Sequence, residues 1–72
     1  MTKDKRENIL QLLRQELNVP DLQETDLLDA DIIGETTIQI TLEFEYGIIV
    51  SDYDFKRYPI VSDFIDFAMG QI

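Results

Sequence analysis

The sequence predicts a small all-α fold, a bundle of four helices with a long loop between the first two. Apolar residues near both ends of the chain recur at intervals of three, four and seven, the period of an amphipathic helix. Residues 37–46 alternate like a β-strand, but no second alternating run exists to pair with them. At 72 residues, the chain has the length of a single domain, residues 1–72.

The first helix is predicted from Thr2 to Leu17, with an end near Asn18. Thr2 is a suitable N-cap residue, Asn18 tolerates the left-handed turn that follows many helices, and Pro20 cannot continue a helix. The apolar stripe that predicts this helix consists of Ile9, Leu10, Leu13 and Leu17.

The segment from Val19 to Gly34 is predicted to be a long acidic loop. A loop of this length in a small domain is usually functional or is fixed by apolar anchors. The candidate anchors are Leu22, Leu27, Leu28, Ile32 and Ile33. We expect Ile32 and Ile33 to insert into the core.

Residues 35–46 give conflicting signals. Their alternation and β-branched residues favour a strand over residues 37–46, and hence an α+β fold. Ile38, Leu42 and Tyr46 also recur every four residues, which places them on one side of a helix. An isolated strand would leave its backbone edges unpaired, so the helix is favoured and the strand is kept as the alternative.

The rest of the chain predicts a short turn or helix followed by a final helix. Gly47 is suited to end the central helix, and Ser51 to cap the short element that runs to Lys56. Pro59 marks a boundary, and Gly70 is placed to stop the last helix. Its predicted core residues are Val61, Phe64, Ile65 and Ala68.

Negative charge dominates the sequence. The net charge is −9, and no Lys or Arg lies between Gln15 and Phe55. Such a charge repels nucleic acids and anionic membranes, so we expect a monomer whose partner is a protein with a basic surface patch. No signal peptide or membrane-spanning run is evident, which predicts a cytoplasmic protein. The acids in the base-free run are Glu16, Asp21, Glu24, Asp26, Asp29, Asp31, Glu35, Glu43, Glu45, Asp52 and Asp54.

The chain contains no cysteine and no histidine, so the usual nucleophiles, general bases and metal ligands are missing. Asp26, Asp29 and Asp31 lie close together, but apolar residues occupy positions where an EF-hand loop requires ligands. We therefore expect neither an enzyme nor a dedicated metal site. The expected function is docking, through a surface centred on Asp31, Glu35, Glu43 and Glu45. Ile40 is an exposed apolar centre of this surface if residues 37–46 are helical, and it belongs to the core if they form a strand or the helix is rotated.

Three strings resemble the acyl and peptidyl carrier proteins, including the small D-alanyl carriers. DLLDADII (residues 26–33) resembles the loop before that family's central helix, and LEFEYGIIVSD (42–52) resembles the end of that helix. YPIVSDFIDF (58–67) resembles the entry to the last helix. The resemblance implies a single carrier-like domain whose acidic central helix faces partners such as biosynthetic or ligase-type enzymes.

In that family a serine at the start of the central helix carries 4'-phosphopantetheine. Here the corresponding position falls on Ile32 or on Glu35, depending on the alignment, and both serines of the chain, Ser51 and Ser62, lie downstream. We therefore expect no prosthetic group. The leading hypothesis is a carrier-like interaction domain. The alternatives are an acidic inhibitor or immunity-type protein that blocks a cationic site, and an active carrier modified at Thr36 or Thr37.

Overall fold

The computed structural model describes residues 4–72, and this part of the chain folds into four α-helices without a β-sheet. The helices are α1 (Lys5–Leu17), α2 (Ile32–Tyr46), α3 (Asp52–Arg57) and α4 (Val61–Met69). The all-α prediction is confirmed. The strand alternative for residues 37–46 is wrong, because the whole segment lies within α2.

Helix α1 is capped by Asp4, whose carboxylate accepts a hydrogen bond from the backbone N–H of Arg6 at 3.0 Å. The predicted cap, Thr2, lies outside the described residues. At the other end Asn18 adopts the predicted left-handed conformation, with φ 57°, and its N–H bonds back to the last turn of the helix.

A single apolar core forms where α1 packs against α2 and α4. Phe55 of α3 closes it by stacking on Phe64 of α4, with the ring centroids 5.1 Å apart. The fully buried side chains of this core are Ile9, Leu13, Ile38, Leu42, Ile48, Val61, Phe64, Ile65 and Ala68. The four core residues predicted for the last helix are all among them.

The loop between α1 and α2 is fixed mainly by backbone hydrogen bonds to the start of α4. The N–H of Leu28 donates to Pro59 O at 2.7 Å, and the N–H of Val61 donates to Asp26 O at 3.0 Å. Of the predicted anchors, Leu22 is buried and Leu28 packs against the core, whereas Leu27 is exposed. Main-chain pairing therefore replaces part of the expected apolar anchoring.

The prediction that Ile32 and Ile33 insert into the core is wrong. Their side chains are 81% and 77% exposed. The reason is that Asp31 caps α2: its Oδ1 accepts the N–H of Gly34 at 2.7 Å, so the helix begins at Ile32 and includes Gly34. Both isoleucines thus lie in the first helical turn, where their side chains are exposed to solvent.

The remaining helix ends follow local signals. Gly47 ends α2 in a left-handed conformation, with φ 69°. Ser51 precedes α3, and the Asp54 carboxylate accepts hydrogen bonds from both the backbone N–H and the hydroxyl of Ser51. Helix α4 ends at Gly70 as predicted, although that residue stays right-handed. In the part of the chain described, no helix is long and apolar enough to cross a membrane.

Candidate functional site

Helix α2 is apolar on two sides. Its inner side carries Ile38 and Leu42, both fully buried, and Tyr46, which is partly buried against the core. These residues recur every four positions, as the sequence predicts, and they fix the rotation of the helix about its axis. Everything on the opposite side therefore faces solvent.

The solvent side carries Ile33, Ile40 and Phe44, which are 77%, 63% and 88% exposed. Thr37 lies between the isoleucines at helical spacing. We call these four residues the outer stripe: they follow one another at intervals of four, three and four and span about 16 Å along the helix axis. The exposure predicted for Ile40 is confirmed, and the structure adds a row of apolar neighbours along the same side.

Sequence reasoning missed the rest of the stripe. Apolar character alone predicts a core position for Ile33 and does not distinguish Phe44. The signal that marks them is their spacing from Ile40, seven positions before it and four positions after it. At about 100° per residue, this spacing returns each side chain to the same side of a helix.

The four predicted docking acids do not lie on one face of α2. Glu43 and Glu45 are both exposed, but two residues correspond to about 200° of rotation, so they lie on opposite edges of the outer stripe. Asp31 caps the helix, and Glu35 is half-buried in the first turn. Glu43 and Glu45 thus flank the apolar stripe, Asp31 caps the helix, and Glu35 lies on the inner side, so the four acids do not form a continuous charged surface.

An open cleft of about 450 Å³ adjoins the N-terminal end of the stripe, between the end of α1 and the start of α2. Ile33 and Thr37 line both the cleft and the stripe. The acidic residues of its wall are Glu16, Asp29 and Asp31. Within residues 4–72 no group of three acidic side chains is arranged to hold a metal ion.

Two of the basic residues, Arg6 and Arg14, brace the loop. Arg6 donates to Glu24, with Nε 3.0 Å from Oε1, and also pairs with Asp66. These bonds raise the pKa of Arg6 above its usual value, so its charge persists at every accessible pH. Arg14 donates to the carbonyl of Leu22 at 2.8 Å. Both arginines therefore stabilise the fold and do not neutralise the stripe's acids.

The positions that the carrier resemblance assigns to the modified serine hold no suitable nucleophile. Ile32 is the first residue of α2, and Glu35 is half-buried. The hydroxyls of Thr36 and Thr37 donate to the carbonyls of Ile32 and Ile33 at 2.9 and 3.0 Å. Each threonine hydroxyl is thus engaged with its own helix.

Comparisons of this chain with protein-family models, curated proteins and solved structures found no match.

Proposed function

We propose that this chain is a carrier-protein-like interaction domain without a phosphopantetheine group, and that it docks through α2 onto a protein with a basic surface patch. It acts by binding and not by catalysis. The observation that supports the proposal is the exposed outer side of α2, where Ile40 lies close to Glu43 in a segment free of basic residues. An apolar centre with a charged rim is the usual composition of a protein interface.

Electrostatics supports a basic partner. The net charge of −9 and the base-free run from residue 16 to residue 54 give this side of the molecule a negative potential, which accelerates association with a positive surface. Arg6 pairs with Glu24 and Asp66, and Arg14 donates to the carbonyl of Leu22, so neither arginine neutralises the acids of α2. The resemblance to carrier proteins suggests a biosynthetic or ligase-type enzyme as the partner.

The position of Ile32 supports the absence of the prosthetic group. In one alignment of the resemblance, the family's serine falls at Ile32, and α2 begins at that residue. An isoleucine side chain has no hydroxyl to accept phosphopantetheine. The intact mass of the native protein, measured again after incubation with coenzyme A and a broad-specificity phosphopantetheinyl transferase, is therefore expected to equal the mass of the unmodified chain.

Charge reversal tests the docking. The double variant E43K/E45K changes both acids that flank the outer stripe, while D21K/D63K makes the same change in net charge at two exposed positions off α2. With a partner captured from the native host, E43K/E45K is expected to slow association and to flatten its dependence on salt. The control variant D21K/D63K should associate with the partner like the wild-type chain, apart from a smaller, general effect of its changed net charge.

Equal rates for the two double variants would contradict docking through α2. A mass increase of one phosphopantetheine group would contradict the other half of the proposal and make the chain a working carrier with an unusual attachment residue.

A further inference from the structure

The outer stripe of α2 has the apolar character of a surface that is covered in a complex. A helix on the surface of a soluble domain normally opposes its apolar side with polar residues. Helix α1 follows this rule, with exposed Lys5, Gln11 and Gln15. Helix α2 departs from it through Ile40 and Phe44, and Phe44 is the most exposed large apolar side chain of residues 4–72.

The spacing of the stripe fits another helix. Intervals of four, three and four from Ile33 to Phe44 are those of the a and d positions of a coiled coil, where each side chain inserts between side chains of a facing helix. A row about 16 Å long matches roughly three turns, or about eleven residues, of such a helix. A strand or an irregular loop would not present apolar groups at these intervals.

The charges beside the stripe define the chemistry of the facing helix. Glu43 lies about 60° around the helix from Ile40 on one edge, and Glu45 lies about 100° from Phe44 on the other. No Lys or Arg occurs in this part of the sequence to neutralise them. A second copy of the chain would bring the same acids and a further net charge of −9 to the interface, so a homodimer is disfavoured.

We infer that the outer stripe receives an amphipathic helix of the partner, with aliphatic side chains along its seam and Lys or Arg along both edges. The inference rests on the proposed function and adds the structural class of the element that docks. Phe44 and Ile40 are the anchors that determine affinity, and the flanking acids select a basic partner over an acidic one.

A synthetic helix provides the probe. A fluorescein-labelled peptide of about 14 residues, four turns, carries Leu at the seam positions and Lys elsewhere, and its binding to the full chain is followed by fluorescence anisotropy. In one control peptide each Leu is replaced by Gln, which leaves the charge unchanged. In a second control peptide each Lys is replaced by Glu, and the Leu residues of the seam are kept.

Matched variants of the chain separate the stripe from other exposed apolar groups. F44Q and I40Q alter the stripe, whereas I49Q and Y53Q alter side chains of 59% and 67% exposure elsewhere. We expect the Leu/Lys peptide to bind at least about tenfold more weakly to F44Q and I40Q, and within about twofold of wild type to I49Q and Y53Q. Both control peptides should bind at least about tenfold more weakly than the Leu/Lys peptide.

Equal affinity of F44Q and I49Q for the peptide would overturn the inference. So would a concentration-dependent dimer, seen by sedimentation, that F44Q abolishes, because a second copy would then occupy the stripe. Weaker binding to E43K/E45K with unchanged binding to F44Q would also overturn it while leaving the proposed electrostatic docking intact. Loss of binding in F44Q and I40Q with unchanged binding to E43K/E45K would contradict the role that the inference gives to the flanking acids and would also count against that electrostatic docking.

Discussion

Truncation of Leu42 to alanine should reduce the stability of the fold strongly, whereas truncation of Phe44 should leave it almost unchanged. The two residues are two positions apart, so a strand would place them on the same face, whereas a helix rotates them about 160° apart. In the structure Leu42 is fully buried and Phe44 is 88% exposed. Comparing L42A with F44A therefore tests both the helical state of α2 and the orientation on which the outer stripe depends.

The expected magnitudes differ severalfold. Leu42 lies fully buried within the apolar core, and a Leu→Ala change at such a site reduces the free energy of unfolding by about 2–5 kcal/mol. A domain of this length has a total stability of about 4–11 kcal/mol, so L42A removes a large share of it. Phe44 loses few contacts on truncation, and F44A should change stability by no more than about 0.5 kcal/mol.

Urea unfolding followed by far-UV circular dichroism provides the assay. With a slope of about 1 kcal/mol per molar urea, L42A should lower the midpoint by about 2–5 M, and F44A should leave it almost unchanged. If L42A is unfolded without urea, I38V at the neighbouring buried position should still show a loss of about 0.5–1.5 kcal/mol. A loss in F44A as large as that in L42A would refute the orientation of α2.

Two further predictions concern the framework that holds the stripe. R6Q removes the bonds of Arg6 to Glu24 and Asp66. Because these groups are partly exposed, we expect the free energy of unfolding to fall by about 1 kcal/mol and the thermal midpoint by about 4–8 °C. The control K5Q, at an exposed position, should leave the midpoint unchanged. An unchanged midpoint in R6Q would show that the brace is dispensable. G47A places a side chain at φ 69° and should reduce the free energy of unfolding by about 1–2 kcal/mol in the same thermal assay. The control G70A, at a residue with right-handed backbone, should leave stability unchanged. Equal effects of the two substitutions would contradict the left-handed end of α2.

The parts of the fold that could be predicted from the sequence depend on local chemistry. Asn18 and Gly47 end helices because they tolerate positive φ, and Ser51 begins one because its neighbour at Asp54 completes the cap. The burial of Ile38 and Leu42 follows from four-residue spacing alone. Each of these signals involves residues that lie within one or two turns of each other.

The start of α2 and the composition of the site could not be predicted in the same way. Ile32 and Ile33 follow a long loop and precede Gly34, so their apolar character favoured insertion into the core. Apolar side chains that face a partner have the same sequence signature as apolar side chains that face a core. Proximity in sequence groups the four acids together, but only the helical phase shows that Glu43 and Glu45 lie on different edges of the outer stripe.

The strand-like pattern of the central segment is itself a consequence of the two apolar sides. Ile38, Leu42 and Tyr46 repeat every four residues on the inner side, while Ile40 and Phe44 repeat every four residues on the outer side. Because the two series are offset by two residues, or about 200° of rotation, together they alternate at every second position. A helix buried on one side only would carry polar residues at positions 40 and 44 and would show no such alternation. The alternation within a helix therefore reflects two apolar sides, one that packs in the core and one that is exposed to solvent.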